Sequence, residues 1–181
     1  RKGDTLNASI GQGYTLTSPL QLAVYTARMA SGLALEPRLI KTLGGVEQKA
    51  DPPQLLDIST NSLRLIRRAM YNVSNGSRGT ARGSRIVEET MKLAGKTGTS
   101  QVRNITAAER ARGVYRNEDL PWERRDHALF VSFAPVHKPR YCCAVVVEHG
   151  GTIDVTSGPD GTCFTIRLPR DGARSRRGVM A

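Results

Sequence analysis

Two apolar segments, His127 to Ala134 and Tyr141 to Glu148, are separated only by the turn Pro135 to Arg140. A connection that short joins antiparallel neighbours, so the chain must build around an antiparallel sheet. Lys96 to Val102 has the same extended character and supplies a further strand. The polar, charge-rich stretch Arg103 to Asp126 lies between, and reads as a surface loop with some helical content. After Gly150-Gly151, the runs Thr152 to Ser157 and Thr162 to Leu168 flank Gly158-Pro159-Asp160-Gly161, the pattern of strand, tight turn and strand.

The first half of the chain has a helical period instead. Arg1 to Gly13 is polar and Gly-rich, and reads as a loop. Ser18-Pro19-Leu20-Gln21 then supplies an N-cap serine, proline in the first turn and a glutamine three residues after the cap, which closes a capping box. Leu20, Ala23, Val24, Ala27 and Ala30 form the stripe of a helix over 19–31, and Gly32 suits its left-handed terminus. Residues 33–57 are expected to hold a short strand around Arg38 to Thr42, followed by a surface loop at Gly44-Gly45. A second helix starts at a Ser59 or Thr60 cap, carries Leu63, Ile66, Met70 and Val73 on one face and stops at Asn75-Gly76. A glycine-rich basic loop, Gly76 to Arg85, leads to the strands. The fold class is therefore α/β of the α+β kind, an antiparallel sheet with flanking helices.

Charge and cysteines narrow the function classes. Twenty-seven Lys and Arg against sixteen Asp and Glu leave a net charge of +11 over 181 residues. The excess is scattered over helices and loops apart from Arg167, Arg170, Arg174, Arg176 and Arg177, and no aromatic residues interleave with it, so no nucleic-acid partner is expected. Cys142, Cys143 and Cys163 form no metal-ligand spacing, and no metal or cofactor is expected. Cys142 and Cys143 are neighbours on a strand, point to opposite faces and should pack as small apolar residues without a mutual disulfide. No apolar run is long enough for a membrane span. The start at Arg1 reads as a piece of something longer, and residues 170–181 are expected to be a disordered basic tail.

The sharpest chemical feature is Gly95-Lys96-Thr97-Gly98-Thr99-Ser100. A phosphate-cradling loop would need glycine where the chain has Thr90, and a helix afterwards. The K-T-G strand of serine acyltransferases fits better. Lysine at a sheet edge offers a cation to a substrate carboxylate, threonine hydroxyls offer hydrogen bonds, and Gly98 lets a substrate backbone lie close. A backbone N–H at Thr99 is placed to serve an oxyanion hole.

Lys96 to Val102 does not stand alone. Gly3-Asp4-Thr5-Leu6-Asn7-Ala8-Ser9-Ile10-Gly11-Gln12-Gly13, the helix from Pro19, Gly79-Thr80-Ala81 and Asp126-His127-Ala128-Leu129-Phe130-Val131-Ser132-Phe133-Ala134-Pro135 accompany it in order. Over residues 1–150 this resembles the C-terminal part of the transpeptidase domain of elongation-type class B penicillin-binding proteins (penicillin-binding protein 2). The resemblance implies a penicillin-binding, serine β-lactamase-like fold and D,D-transpeptidation of peptidoglycan stem peptides, with β-lactams as acylating inhibitors. It makes Lys96 the catalytic residue of this chain and Thr97, Gly98 and Thr99 its substrate-binding residues. It also implies cell-wall elongation proteins as partners, and a parent protein at the periplasmic face of the inner membrane, held there by an N-terminal anchor outside this sequence. Gly11 to Gly13 matches a structural turn, and His127 a strand-packing position.

Two departures accompany the resemblance. No serine is followed three residues later by lysine, so the S-x-x-K nucleophile and its base are absent and the chain alone should not be acylated. Ser59-Thr60-Asn61 spells S-x-N, but it lies after Gly11-Gln12-Gly13 and at a helix start, where it reads as a cap. His149 to Pro169, with a hairpin over 151–169, resembles the end of a histidine-kinase ATP-binding domain, although the upstream nucleotide motifs of that family are missing. The alternative reading is therefore a non-catalytic hybrid or remnant that serves as a binding module.

Overall fold

The computed structural model describes residues 2–9, 11, 15–103, 105–148, 152–158 and 161–167. Helix α1 spans Lys2–Ser9, where the sequence reads as a loop. Its lack of an apolar stripe hides it from a periodicity argument, since helical pattern is visible only where one face packs. Gly11 closes it, with φ 76° and its N–H on the Ala8 carbonyl at 3.0 Å.

Helix α2, Pro19–Ser31, has the expected start and stop. The Ser18 hydroxyl accepts from the Gln21 N–H, the Gln21 side chain accepts from the Ser18 N–H at 2.8 Å, and Gly32 sits at φ 76°. The expected strand at 38–42 lies further on. Thr42–Leu43 (β1) pairs with Val46–Glu47 (β2) across Gly44 and Gly45, whose φ values of 57° and 81° make the Gly-Gly pair the hairpin turn rather than a loop.

Helix α3, Thr60–Asn75, is capped by Ser59, whose hydroxyl accepts from the Ser62 N–H at 3.1 Å. The S-x-N triplet is thus a helix cap. Arg67 crosses from α3 to donate to the Met29 carbonyl of α2 at 2.8 Å.

Strands β3 (Ala94–Ser100), β4 (His127–Ala134) and β5 (Tyr141–Val147) form one antiparallel sheet in that order. Ala94, Phe133 and Cys142 lie opposite one another across it and share a face. Ala30 of α2 and Met70 of α3 pack on this row, so the core joins both helices to the sheet. Cys142 lies beside that cluster, Cys143 takes the other face, and both are free thiols. β3 starts at Ala94, two residues before Lys96, where the ladder to β4 begins opposite the buried Phe133.

The insertion 103–126 holds α4, Ala107–Arg112, with a capping box between Thr106 and Glu109. β6 (Thr152–Gly158) and β7 (Gly161–Arg167) form a separate antiparallel hairpin. Residues 170–181 lie outside the described residues. Large apolar side chains stand in solvent, including Leu16, Leu39 and Leu55 at 93%, 95% and 81% exposure. No described helix is long and apolar enough to cross a membrane.

Candidate active site

The four residues singled out from sequence sit together on β3, where Lys96, Thr97, Gly98 and Thr99 face Val131, Phe130, Leu129 and Ala128 of β4. A strand continues through the motif, which removes the phosphate-loop reading. β3 is the outer strand of its sheet, and among the described residues its other edge has no strand partner. Alternation puts Thr97 and Thr99 on one side of the strand and Lys96 and Gly98 on the other. Lys96 is exposed, its ammonium donates to the Thr97 carbonyl, and among the described residues no carboxylate pairs with it. That leaves a positive charge available at the strand edge.

The two glycines of the strand have different reasons to be there. A Cβ on Gly95 would lie 2.5 Å from the Phe130 ring and 2.8 Å from the Val131 carbonyl oxygen, so the fold itself demands glycine. On Gly98 it would meet only Leu129 Cβ at 3.5 Å, an ordinary contact. The packing of the described residues therefore leaves room for a side chain at 98.

The far end of α3 is tied to the start of this strand. Asn75 donates from Nδ2 to the Tyr71 carbonyl at 3.0 Å and to the Leu93 carbonyl at 2.9 Å. Beyond Asn75 the chain folds back over the helix end. Gly76 N–H bonds Asn72 O at 2.9 Å, Gly79 N–H bonds Gly76 O at 3.0 Å, and Ala81 N–H bonds Val73 O at 3.0 Å. A Cβ on Gly79 would collide with the Val73 and Asn72 carbonyl oxygens, which explains the glycine. The fold-back brings Thr80 Oγ1 to 3.0 Å from Thr97 Oγ1. Thr80 was not among the residues assigned from sequence. The only signal was Gly79-Thr80-Ala81, which shows no chemistry until the loop is folded.

Past Ser100 the insertion closes a small hollow lined by Gln101, Arg103, Tyr115, Asn117 and Asp126. Asp126 accepts from the Val102 N–H at 3.2 Å and its own N–H donates to Asn117 Oδ1 at 2.8 Å. Arg103 pairs with Glu109 at 2.7 Å. Hydrogen bonding from Arg103, ahead of the Thr106 N–H, holds the Glu109 carboxyl below its ordinary range. His127 opens β4 opposite Ser100 and is half-buried. Gln12 and Gly13 lie outside the described residues.

The family model for the penicillin binding protein transpeptidase domain matches residues 2–161. The chain belongs to the penicillin-binding protein transpeptidase family. It is 35% identical to the peptidoglycan D,D-transpeptidase MrdA of Haemophilus influenzae over 83% of its own length and 23% of that protein's. Among solved structures it is similar to Pseudomonas aeruginosa PBP2 in complex with WCK 5153, at 35% identity and a TM-score of 0.64, over 83% of this chain and 30% of that one. It is also similar to Helicobacter pylori PBP2 in a complex with MreC, at 33% identity and a TM-score of 0.61, over 83% and 24%. The chain thus spans less than a third of each of these relatives. This is a family of serine-type D,D-transpeptidases, and the mixed fold with its antiparallel sheet is that of their transpeptidase domains. The match continues to residue 161, into the hairpin likened to a histidine kinase, and lends that likeness no support.

Proposed function

We propose that this chain forms the carboxylate-binding wall of a penicillin-binding D,D-transpeptidase site that cross-links peptidoglycan stem peptides. The observation that carries the reading is the exposed edge of β3, with an ammonium, two hydroxyls and a glycine that no packing explains. Lys96 supplies the cation and tunes nearby protons. The hydroxyls of Thr97 and Thr99 donate to the terminal carboxylate of the stem peptide or of a β-lactam. Gly98 lets the acyl donor lie along the strand, and Thr99 lines the acyl site. No step calls for a cofactor.

The serine that would accept the acyl group has to come from residues outside this sequence, since no serine here has lysine at the required spacing. In this reading residues 1–150 make the transpeptidase part, residues 151–169 add a β-hairpin and residues 170–181 a basic tail. The parent works at the periplasmic face of the bacterial inner membrane with proteins of cell-wall elongation. The MreC complex of the Helicobacter pylori relative supports that kind of partner.

Fluorescent penicillin tests the reading. The chain alone should stay unlabelled. Mixed with the serine-bearing first half of the Haemophilus influenzae transpeptidase domain, it should restore covalent labelling of that half, and a Lys96→Ala chain should not. Equal labelling with the wild-type and Lys96→Ala chains would refute the role given to this strand.

A further inference from the structure

We propose that Thr80 is a positioning residue, whose hydroxyl donates to Thr97 Oγ1 and so commits the Thr97 hydrogen to the incoming carboxylate. The proposal rests on the carboxylate-binding role given to Thr97 above and deepens it.

The two oxygens are 3.0 Å apart, so one hydroxyl donates and the other accepts. Each hydroxyl has a single hydrogen, and an ionised carboxylate is an acceptor only. If Thr97 gave its hydrogen to Thr80, it would have none left for the ligand. If Thr80 gives its hydrogen to Thr97, the Thr97 hydrogen is free to point off the strand edge. Only the second arrangement is compatible with carboxylate binding, and it makes Thr80 the fixed donor of the pair.

Thr80 is held well enough to play that part although it is itself exposed. Gly79 and Ala81 on either side of it donate to the Gly76 and Val73 carbonyls, Ala81 is 8% exposed, and a Cβ at Gly79 would collide with the Val73 carbonyl oxygen. The loop therefore presents one hydroxyl from a backbone pinned to α3, and α3 is pinned to β3 through Asn75. A freely rotating hydroxyl must be ordered at the moment of binding, whereas one already held does not pay that entropy.

The experiment uses the whole chain labelled with 13C and 15N. Three-bond couplings to Thr97 Cγ2 report its side-chain rotamer, and titration with N-acetyl-D-alanyl-D-alanine reports carboxylate binding through the β3 amides. The wild type should hold Thr97 in one rotamer. Thr80→Val, with the same shape and no hydroxyl, should average the rotamers and weaken the peptide about threefold, the size expected for one exposed hydrogen bond. Thr80→Ser should restore both, and the amide shifts of α3 should stay in place in each variant. Thr97 couplings unchanged in Thr80→Val overturn the positioning role. Averaged couplings with unchanged peptide affinity overturn its connection to binding. A wild-type chain with an ordered Thr97 and no peptide binding overturns instead the substrate reading and, with it, the ligand half of the proposal.

Discussion

Asn75 and Leu93, one at the end of α3 and one at the entry to β3, are joined by a single 2.9 Å hydrogen bond from the Asn75 amide to the Leu93 carbonyl. The same amide donates to Tyr71 within the helix, so one side chain ties the end of the helix to the entry of β3. Leu93 is 3% exposed, which puts its carbonyl among residues that water reaches poorly. Asn75→Ala is expected to destabilise the chain by about 1–3 kcal/mol, the cost of leaving a covered acceptor with one partner fewer. Urea unfolding checks this as a lower midpoint at unchanged slope. A shift within error would mean that the sheet and helix are aligned by apolar packing alone.

Gly95 and Gly98 make opposite predictions for the same substitution. Gly95→Ala drives a methyl to within 2.8 Å of the Val131 carbonyl oxygen, a backbone atom that cannot swing away, and should cost about 1–3 kcal/mol of stability. Gly98→Ala meets only an ordinary contact, so its unfolding midpoint should stay near that of the wild type. If the proposed peptide site is right, its penalty should appear in peptide binding instead, because the added methyl would occupy the path proposed for the ligand along the strand. Comparing unfolding curves and peptide titrations for the two variants checks both halves.

Arg103, just past the end of β3, pairs with Glu109 of α4 within the insertion, and their bond titrates. The hydrogen bond from Arg103 keeps the Glu109 carboxyl below its ordinary value of 4.5 in the folded chain. A depressed folded value means that the contribution is complete above 4.5 and is lost as pH falls through the lower folded value. Amide exchange in α4 should therefore rise as pH drops below 4.5, after correction for intrinsic rates, while β4 stays protected. Glu109→Gln should flatten that dependence. An unchanged slope in the variant would assign it to other carboxylates.

The parts of this fold that could be read from sequence are those whose signal is local. The Ser18 capping box, the Asn75-Gly76 stop and the alternation of β4 and β5 each act through residues a few positions apart, and each appears where expected. Helix α1 escaped because its sequence carries no apolar stripe from which a period could be read. The β1–β2 hairpin was hidden by its two-residue strands, although Gly44-Gly45 held the turn signal. The Lys96 to Thr99 strand was legible as a motif. Thr80 was not, because its contact with Thr97 spans residues brought together only by the fold-back at Gly79.

Cys142 and Cys143 are expected to be poor nucleophiles in the folded chain. Burial raises both thiols above the ordinary value of 9.0, and for Cys142 the neighbouring Cys143 adds to that rise. The reactive species is the thiolate, so at neutral pH the folded chain offers less of it than the unfolded one. In a Cys163→Ser background, Ellman's reagent should react with both thiols more slowly in buffer than in denaturant. The same shift has a stability sign. A raised folded value favours the neutral thiols, so their contribution is fully present below 9.0 and is lost as pH rises through the folded values. The urea midpoint should fall on the alkaline side of 9.0, and less so in Cys142→Ala, which removes the thiol packed beside Ala94 and Phe133. Reaction at the denatured rate in buffer would show that water reaches the β5 thiols freely and that the sheet face carrying Cys142 opens without global unfolding.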